Sequence, residues 1–200
     1  MGNAKLDDFY IDVLQEISNI GSGNAITALA NMLAKKVNMS VPRVRIIDFN
    51  DIPTVLGTEE ELVVGIYLSL NDDIEGNIMF IYDMDSAINL LNMLLGKEVK
   101  ELDEISLSAL SEVGNIVASS YVNALSSLTG LKITVSIPSL AIDMAGAILS
   151  VPAIQYGLVS DKALFIETLF EEGNNKVKGS LFLLPNMESF EKILSLLGVL

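Results

Sequence analysis

Two hundred residues, half of them hydrophobic, suffice for one globular domain or for two fused halves around a common core. A formal charge of −14 argues against nucleic acid or an anionic membrane as partner, since both call for a cationic patch. The chain has neither Cys nor His, which removes disulfides, a thiol nucleophile, an imidazole base and an ordinary zinc site. Chemistry is left to carboxylates, amides, hydroxyls and water, or to groups borrowed from a partner.

Residues 7–34 read as a long amphipathic helix. At about 100° per residue, Tyr10, Val13, Leu14, Ile17 and Ile20 form one apolar stripe. Asp12, Glu16 and Asn19 gather within roughly 60° of one another on the side away from it. Gly21 and Gly23 sit inside this helix at about 1 kcal/mol each relative to Ala, so either the helix bends or another backbone comes close. With no strand before it, Gly21-Ser-Gly23 is a poor phosphate loop. Val37, Met39 and Val41 alternate with polar neighbours and lead into Pro42, as in a strand with proline at its edge or end. The polar, acidic residues 49–61 predict a loop. Leu62–Leu70 and Asn77–Tyr82 predict strands joined through Asn71-Asp72-Asp73. Asp83 or Asp85 can cap a helix from about 84 to 95 that stops at Gly96.

The charged stretch Lys97–Glu104 divides a first half, 1–98, from a second, 99–200, in which the order returns. Leu107, Leu110, Val113, Ile116 and Val117 line a helix over about 104–129, with Ser108, Glu112 and Asn115 opposite. Ile133, Val135 and Ile137 alternate up to Pro138. Asp12, Glu16, Asn19 and Pro42 thus recur as Ser108, Glu112, Asn115 and Pro138, each 96 positions later. Gly76-Asn-Ile-Met-Phe-Ile and Met84-Asp-Ser86 recur as Gly179-Ser-Leu-Phe-Leu-Leu and Met187-Glu-Ser189 at an offset of 103. About seven residues have been gained between, within Ser139–Gly157, where Asp143–Ser150 predicts a short apolar helix ahead of Pro152. That one-sided helix is either a second functional element or a plug for one end of the core. The pattern predicts an α+β fold: an internal duplication whose two pseudo-symmetric halves share a mostly antiparallel β-sheet, with two long exposed helices.

A Glu followed three residues later by Asn on one solvated helix face is commonplace. The same pair at matching places in both halves is not, because Asn is a mediocre helix former. An Asn amide offers a fixed donor and acceptor and can hold a water in line with an electrophile. A Glu can act as base or form an ion pair with a cation on a docked protein. Neither neutralises a phosphoryl transition state, which requires Mg²⁺ and a cationic side chain. A substrate that brings its own metal and lysine would complete the set, such as a phosphorylated protein with an acidic Mg²⁺ pocket. Paired carboxylates for glycoside hydrolysis fit less well, since each helix has only one well-placed Glu.

The pattern Asp/Ser-x-x-x-Glu-x-x-Asn, followed some two dozen residues later by Pro, resembles the signature of the CheC, CheX and FliY phosphatases of bacterial chemotaxis. Gln15-Glu-Ile-Ser-Asn-Ile-Gly-Ser-Gly-Asn-Ala and Glu112-Val-Gly-Asn-Ile-Val-Ala-Ser-Ser-Tyr-Val-Asn-Ala-Leu look most like the CheC branch, and the likeness spans essentially the whole chain. The resemblance implies that CheX carries one such signature, and that FliY carries two together with a flagellar-switch domain for which this chain has no room. It implies a phosphatase acting on the aspartyl phosphate of a phosphorylated CheY-type response regulator. Asn19 and Asn115 would orient water, Glu16 and Glu112 would pair with the regulator's lysine, and Mg²⁺ would stay in the regulator, with no metal or cofactor of the chain's own. Asp12 and Ser108 would be supporting contacts, and Pro42 and Pro138 structural. It also implies binding of the receptor deamidase CheD, for which the one-sided insertion around Asp143, Ala147 and Ser150 is the expected surface. A monomer in the cytoplasm is expected, with no nucleic acid or membrane partner: no apolar run reaches the roughly 18 residues of a membrane span, and the N-terminus lacks an apolar signal region. A non-catalytic CheD-binding adaptor and a flagellar-switch component are the alternatives.

Overall fold

A computed structural model describes residues 3–40, 42–48, 59–156, 162–172 and 175–198. Helix α1 (Asn3–Leu33) turns Leu14, Ile17, Ala25 and Leu29 into the core, as a 3.6-residue period dictates. The side chain of Tyr10 lies outside the described residues. Strands β1 (Asn38–Met39) and β2 (Arg43–Asp48) flank Pro42, and β3 (Leu62–Asp72) and β4 (Gly76–Asp83) form a hairpin. Helix α2 (Met84–Leu95) is capped by Asp83, which accepts from the Ser86 amide, and ends at Gly96 in the left-handed region (φ 63°) that glycine adopts without strain. The second series is α3 (Glu104–Thr129), β5 (Ile133–Val135), β6 (Ser139–Met144), α4 (Ala145–Tyr156), β7 (Lys162–Glu172), β8 (Asn175–Pro185) and α5 (Met187–Leu196). Asp103 caps α3 through Ser106, and Asn186 caps α5 through Ser189.

The strands make one eight-stranded sheet with β4 and β8 paired at its centre, β3 and β7 outside them, and the short strands at the edges. Every pairing among the described residues is antiparallel. The edge strands are exchanged: β1 and β2 pair with β7, while β5 and β6 pair with β3. Each half therefore completes the sheet of the other. At the centre Met79 stands opposite Phe182, its counterpart at the 103-residue offset.

One face of the sheet, with Val64, Ile66, Leu68, Ile78, Phe80, Tyr82, Ile166 and Leu181, packs against α1, α2 and α3 and against Ile193 of α5. The other face, with Val63, Met79, Ile81, Phe165, Phe182 and Leu184, is covered by Ala145 and Leu149 of α4. Gly65 makes room for this helix: a Cβ there would lie 2.7 Å from a methyl of Ile148. Burial of Leu149 alone is worth about 2 kcal/mol, so α4 is anchored by its inner face whatever its outer face does.

Several expectations change in detail. The strand expected over Val37–Val41 is confined to Asn38–Met39, with Val41 outside the described residues, and pairing resumes after Pro42 as β2. There Val44 is buried between exposed Arg43 and Arg45, a half-buried alternation at a sheet edge. Ile137, expected to continue its strand, falls outside β5 and is 87% exposed. Asp143 and Met144 do not begin a helix. They end β6, because the edge of β3 takes their backbone (Val63 opposite Asp143, Leu62 opposite Met144). The helix starts at Ala145 and runs through Pro152 to Tyr156 instead of stopping ahead of it; proline forfeits one backbone hydrogen bond there but has a helix-compatible φ. Residues 49–58 of the predicted loop lie outside the described residues, and 59–61 form a turn.

Candidate functional site

The polar trios lie on the outer surfaces of the two long helices. Asp12, Glu16 and Asn19 of α1 are exposed, as are Ser108 and Glu112 of α3, and Asn115 is half-buried. What lies beneath fixes their orientation. Under the first row Ser18 is fully buried and returns its hydroxyl to the Leu14 carbonyl at 2.8 Å. Under the second, Gly114 brings α3 against the sheet, so that a Cβ would come within 2.7 Å of Ile66. The helices also press on each other. A Cβ on Gly21 would lie 3.0 Å from Tyr121 Cα and 2.8 Å from its ring, so another backbone comes close and no bend is required. Gly23 has open space around it. Beside that contact the Ser22 and Tyr121 hydroxyls share a buried hydrogen bond of 2.5 Å. Burial pushes the Tyr121 hydroxyl up to about 12, against the opposing pull of Ser22.

The two rows are held differently. Gln15 donates from Nε2 to the Pro42 carbonyl at 2.8 Å and to Asn19 Oδ1 at 3.3 Å. Pro42 therefore gives the first site a backbone anchor as well as a turn. The counterpart of Gln15 is Ser111, whose hydroxyl goes to Leu107 of its own helix at 2.9 Å. Gln15 belongs to the surroundings of the candidate row, and the sequence pattern gives it no role. Its only signal there was a mismatch, Gln15 against Ser111, in an otherwise parallel register.

The third group lies elsewhere. Asp143, Ala147 and Ser150 are exposed around the junction of β6 and α4, and α4 covers the sheet face opposite α1 and α3. Asp143 accepts from the Met144 amide at 2.8 Å, and Ser150 donates to the Ala147 carbonyl at 2.6 Å. The structure does not bring these residues to either row. Among the described residues no three acidic side chains are grouped to hold a metal ion, and no helix is long and apolar enough to cross a membrane. An open cleft of about 320 Å³ is lined by Ser40, Arg43, Glu167, Leu169 and Lys178, none of them a signature residue. The rows are thus presented on helix surface outside that cleft.

Residues 10–46 and 105–142 match the model of the CheC-like family, and these segments hold both rows and both prolines. The chain is 33% identical to the CheY-P phosphatase CheC of Bacillus subtilis over 195 residues, 94% of this chain and 93% of that one. The chain belongs to the CheC-like family. FliY from Thermotoga maritima has the same fold as this CheC-like chain, with a TM-score of 0.75 at 25% identity over 94% of this chain and 95% of that one. A chain of the CheX–CheY–BeF3–Mg complex from Borrelia burgdorferi shares the fold at a TM-score of 0.55 and 18% identity, over 88% of this chain and 99% of its own length. The α+β architecture with an antiparallel sheet is therefore the architecture of these relatives.

Proposed function

We propose that this CheC-like chain is a protein phosphatase that hydrolyses the aspartyl phosphate of a CheY-type response regulator, using Glu16 with Asn19 and Glu112 with Asn115 as two sites. The observation that carries the reading is the display of one Glu-x-x-Asn pair on the outer face of each long helix. The family membership and the phosphatase activity of the Bacillus subtilis relative support it. Each Asn enters the regulator's pocket and holds a water in line with phosphorus. The water oxygen bonds to phosphorus, the bond from phosphorus to the aspartyl oxygen breaks, the regulator's carboxylate leaves, and the water's proton passes to phosphate or solvent. Orientation is what an amide can supply here. Each Glu pairs with the regulator's lysine and sets the register. Charge neutralisation falls to the regulator's own lysine and Mg²⁺, because the rows themselves are acidic. Asp12 and Ser108 lend supporting contacts. We assign the outer side of the β6–α4 junction, with Asp143, Ala147 and Ser150, to the deamidase CheD, and the activity to the cytoplasm where such partners act.

The test is loss of phosphate from a phosphorylated regulator in the presence of the wild type or of a variant carrying both Asn19→Ala and Asn115→Ala. The double variant should lose about a hundredfold or more of the added rate while still binding the regulator. A double variant as fast as the wild type would refute the two Asn sites, and a wild type that adds nothing to the regulator's own rate while binding it would leave a binding adaptor.

A further inference from the structure

We infer that Gln15 is a positioning residue that holds Asn19 in its working orientation, and that the second site lacks this device. The inference rests on reading Asn19 and Asn115 as the water-orienting amides. Gln15 stands one turn before Asn19, and its amide nitrogen serves both contacts, to the Pro42 carbonyl at 2.8 Å and to Asn19 Oδ1 at 3.3 Å. Pro42 is buried and immediately precedes β2, so the far end of this bridge is backbone held beside the sheet and not a mobile side chain. An Asn amide is planar, with its oxygen and nitrogen on opposite sides of one bond. With Oδ1 turned toward Gln15, Nδ2 is committed to the other side, while the second lone pair of Oδ1 stays available to a water. The amide is set before the partner arrives.

On α3 that position holds Ser111, whose hydroxyl is used within its own helix at 2.9 Å and which is too short to reach a strand carbonyl. No hydrogen bond among the described residues reaches the Asn115 side chain. Asn115 keeps its rotamer freedom in the docked complex and is ordered only as the water is aligned, so its share of the orientation cost falls on the chemical step. The two sites accordingly differ in kcat and not in their docking carboxylates, with the first site the faster.

The test measures kcat and KM on a phosphorylated CheY-type regulator in an Asn115→Ala background, with and without Gln15→Met, which keeps the length of the side chain and removes its donors. The expected result is a fall in kcat of about three- to tenfold, the worth of one or two hydrogen bonds, with KM and the thermal midpoint unchanged. In the same variant the Asn19 side-chain amide should show a lower NMR order parameter. An unchanged kcat, or a fall accompanied by a matching rise in KM or loss of thermal stability, overturns the positioning role. Adding Asn19→Ala to the Asn115→Ala background separates this outcome from failure of the functional reading. Activity that survives both substitutions sinks the assignment of Asn19 and Asn115 as the water-orienting amides, on which this inference rests. Activity abolished by Asn19→Ala but indifferent to Gln15→Met sinks only the role of Gln15.

Discussion

Helices α1 and α3 carry the same outward row over different undersides. Below the rows, Ser18 of α1 answers to Gly114 of α3, one tied to its own helix and the other pressed on Ile66. Further along, Gly21 and Ala25 of α1 answer to Val117 and Tyr121 of α3, and it is Gly21 that meets Tyr121. Two copies of α1 would put glycine against alanine at this crossing and leave a void, and two copies of α3 would put Val117 against Tyr121 and overlap. The inner surfaces had to diverge because the helices are each other's neighbours. The Glu and Asn of the outer surfaces did not, because on our reading both pairs face the same kind of partner. The contrast separates the requirements of packing from those of docking.

Reversing the charge in one row should give the largest effect. Glu16→Lys in an Asn115→Ala background, or Glu112→Lys in an Asn19→Ala background, replaces attraction to a partner lysine by repulsion, and KM for the phosphorylated regulator should rise about thirtyfold or more at each site. A response in only one helix would break the equivalence of the rows.

The undersides should respond in stability instead. Gly21→Ala forces a methyl onto the Tyr121 backbone and should cost about 1–3 kcal/mol in urea unfolding, whereas Gly23→Ala, with open space around it, should be neutral or gain up to about 1 kcal/mol. Equal effects would mean that the helix contact is not what Gly21 serves.

A smaller loss, about 1 kcal/mol, is expected for Tyr121→Phe, which leaves the buried Ser22 hydroxyl without its partner. This variant also has a pH signature. Tyr121 ionises near 10 when unfolded and is pushed up to about 12 in the fold, so the unfolded chain gives up its proton first. Its contribution is complete below about 10 and is lost as pH rises through about 12. Tyr121→Phe should therefore flatten part of the alkaline decline in stability, measured by unfolding across that range.

Much of this architecture was legible because it is periodic or capped. The α3 limits, Glu104–Thr129, follow from Asp103, Gly130 and the stripe between them, and α2 from Asp83 and Gly96. The exposure of Glu16 and Glu112 followed from the helical wheel. The misses share a cause: they depend on what a segment pairs with. β2 and β6 are short edge strands with one side turned to the core, only half-buried in β6, and their partners, β7 and β3, come from the other half of the chain. Asp143 and Met144 read as helix because an apolar run has no period of its own until a neighbouring strand takes its backbone. The role of Gln15 is not legible because its anchor lies 27 residues away, at the Pro42 carbonyl just ahead of β2, and a polar residue beside polar neighbours on a helix looks merely solvated.

The claim on which the rest depends is that the two carboxylate-and-amide rows face the regulator. Carbodiimide-driven labelling of carboxylates, with and without a regulator loaded with an acyl-phosphate mimic such as beryllofluoride, reads this residue by residue. Glu16 and Glu112 should lose most of their labelling in the complex while Asp143, on the opposite side of the sheet, keeps its own. Protection of Asp143 with Glu16 and Glu112 labelled as in the free chain would contradict the account.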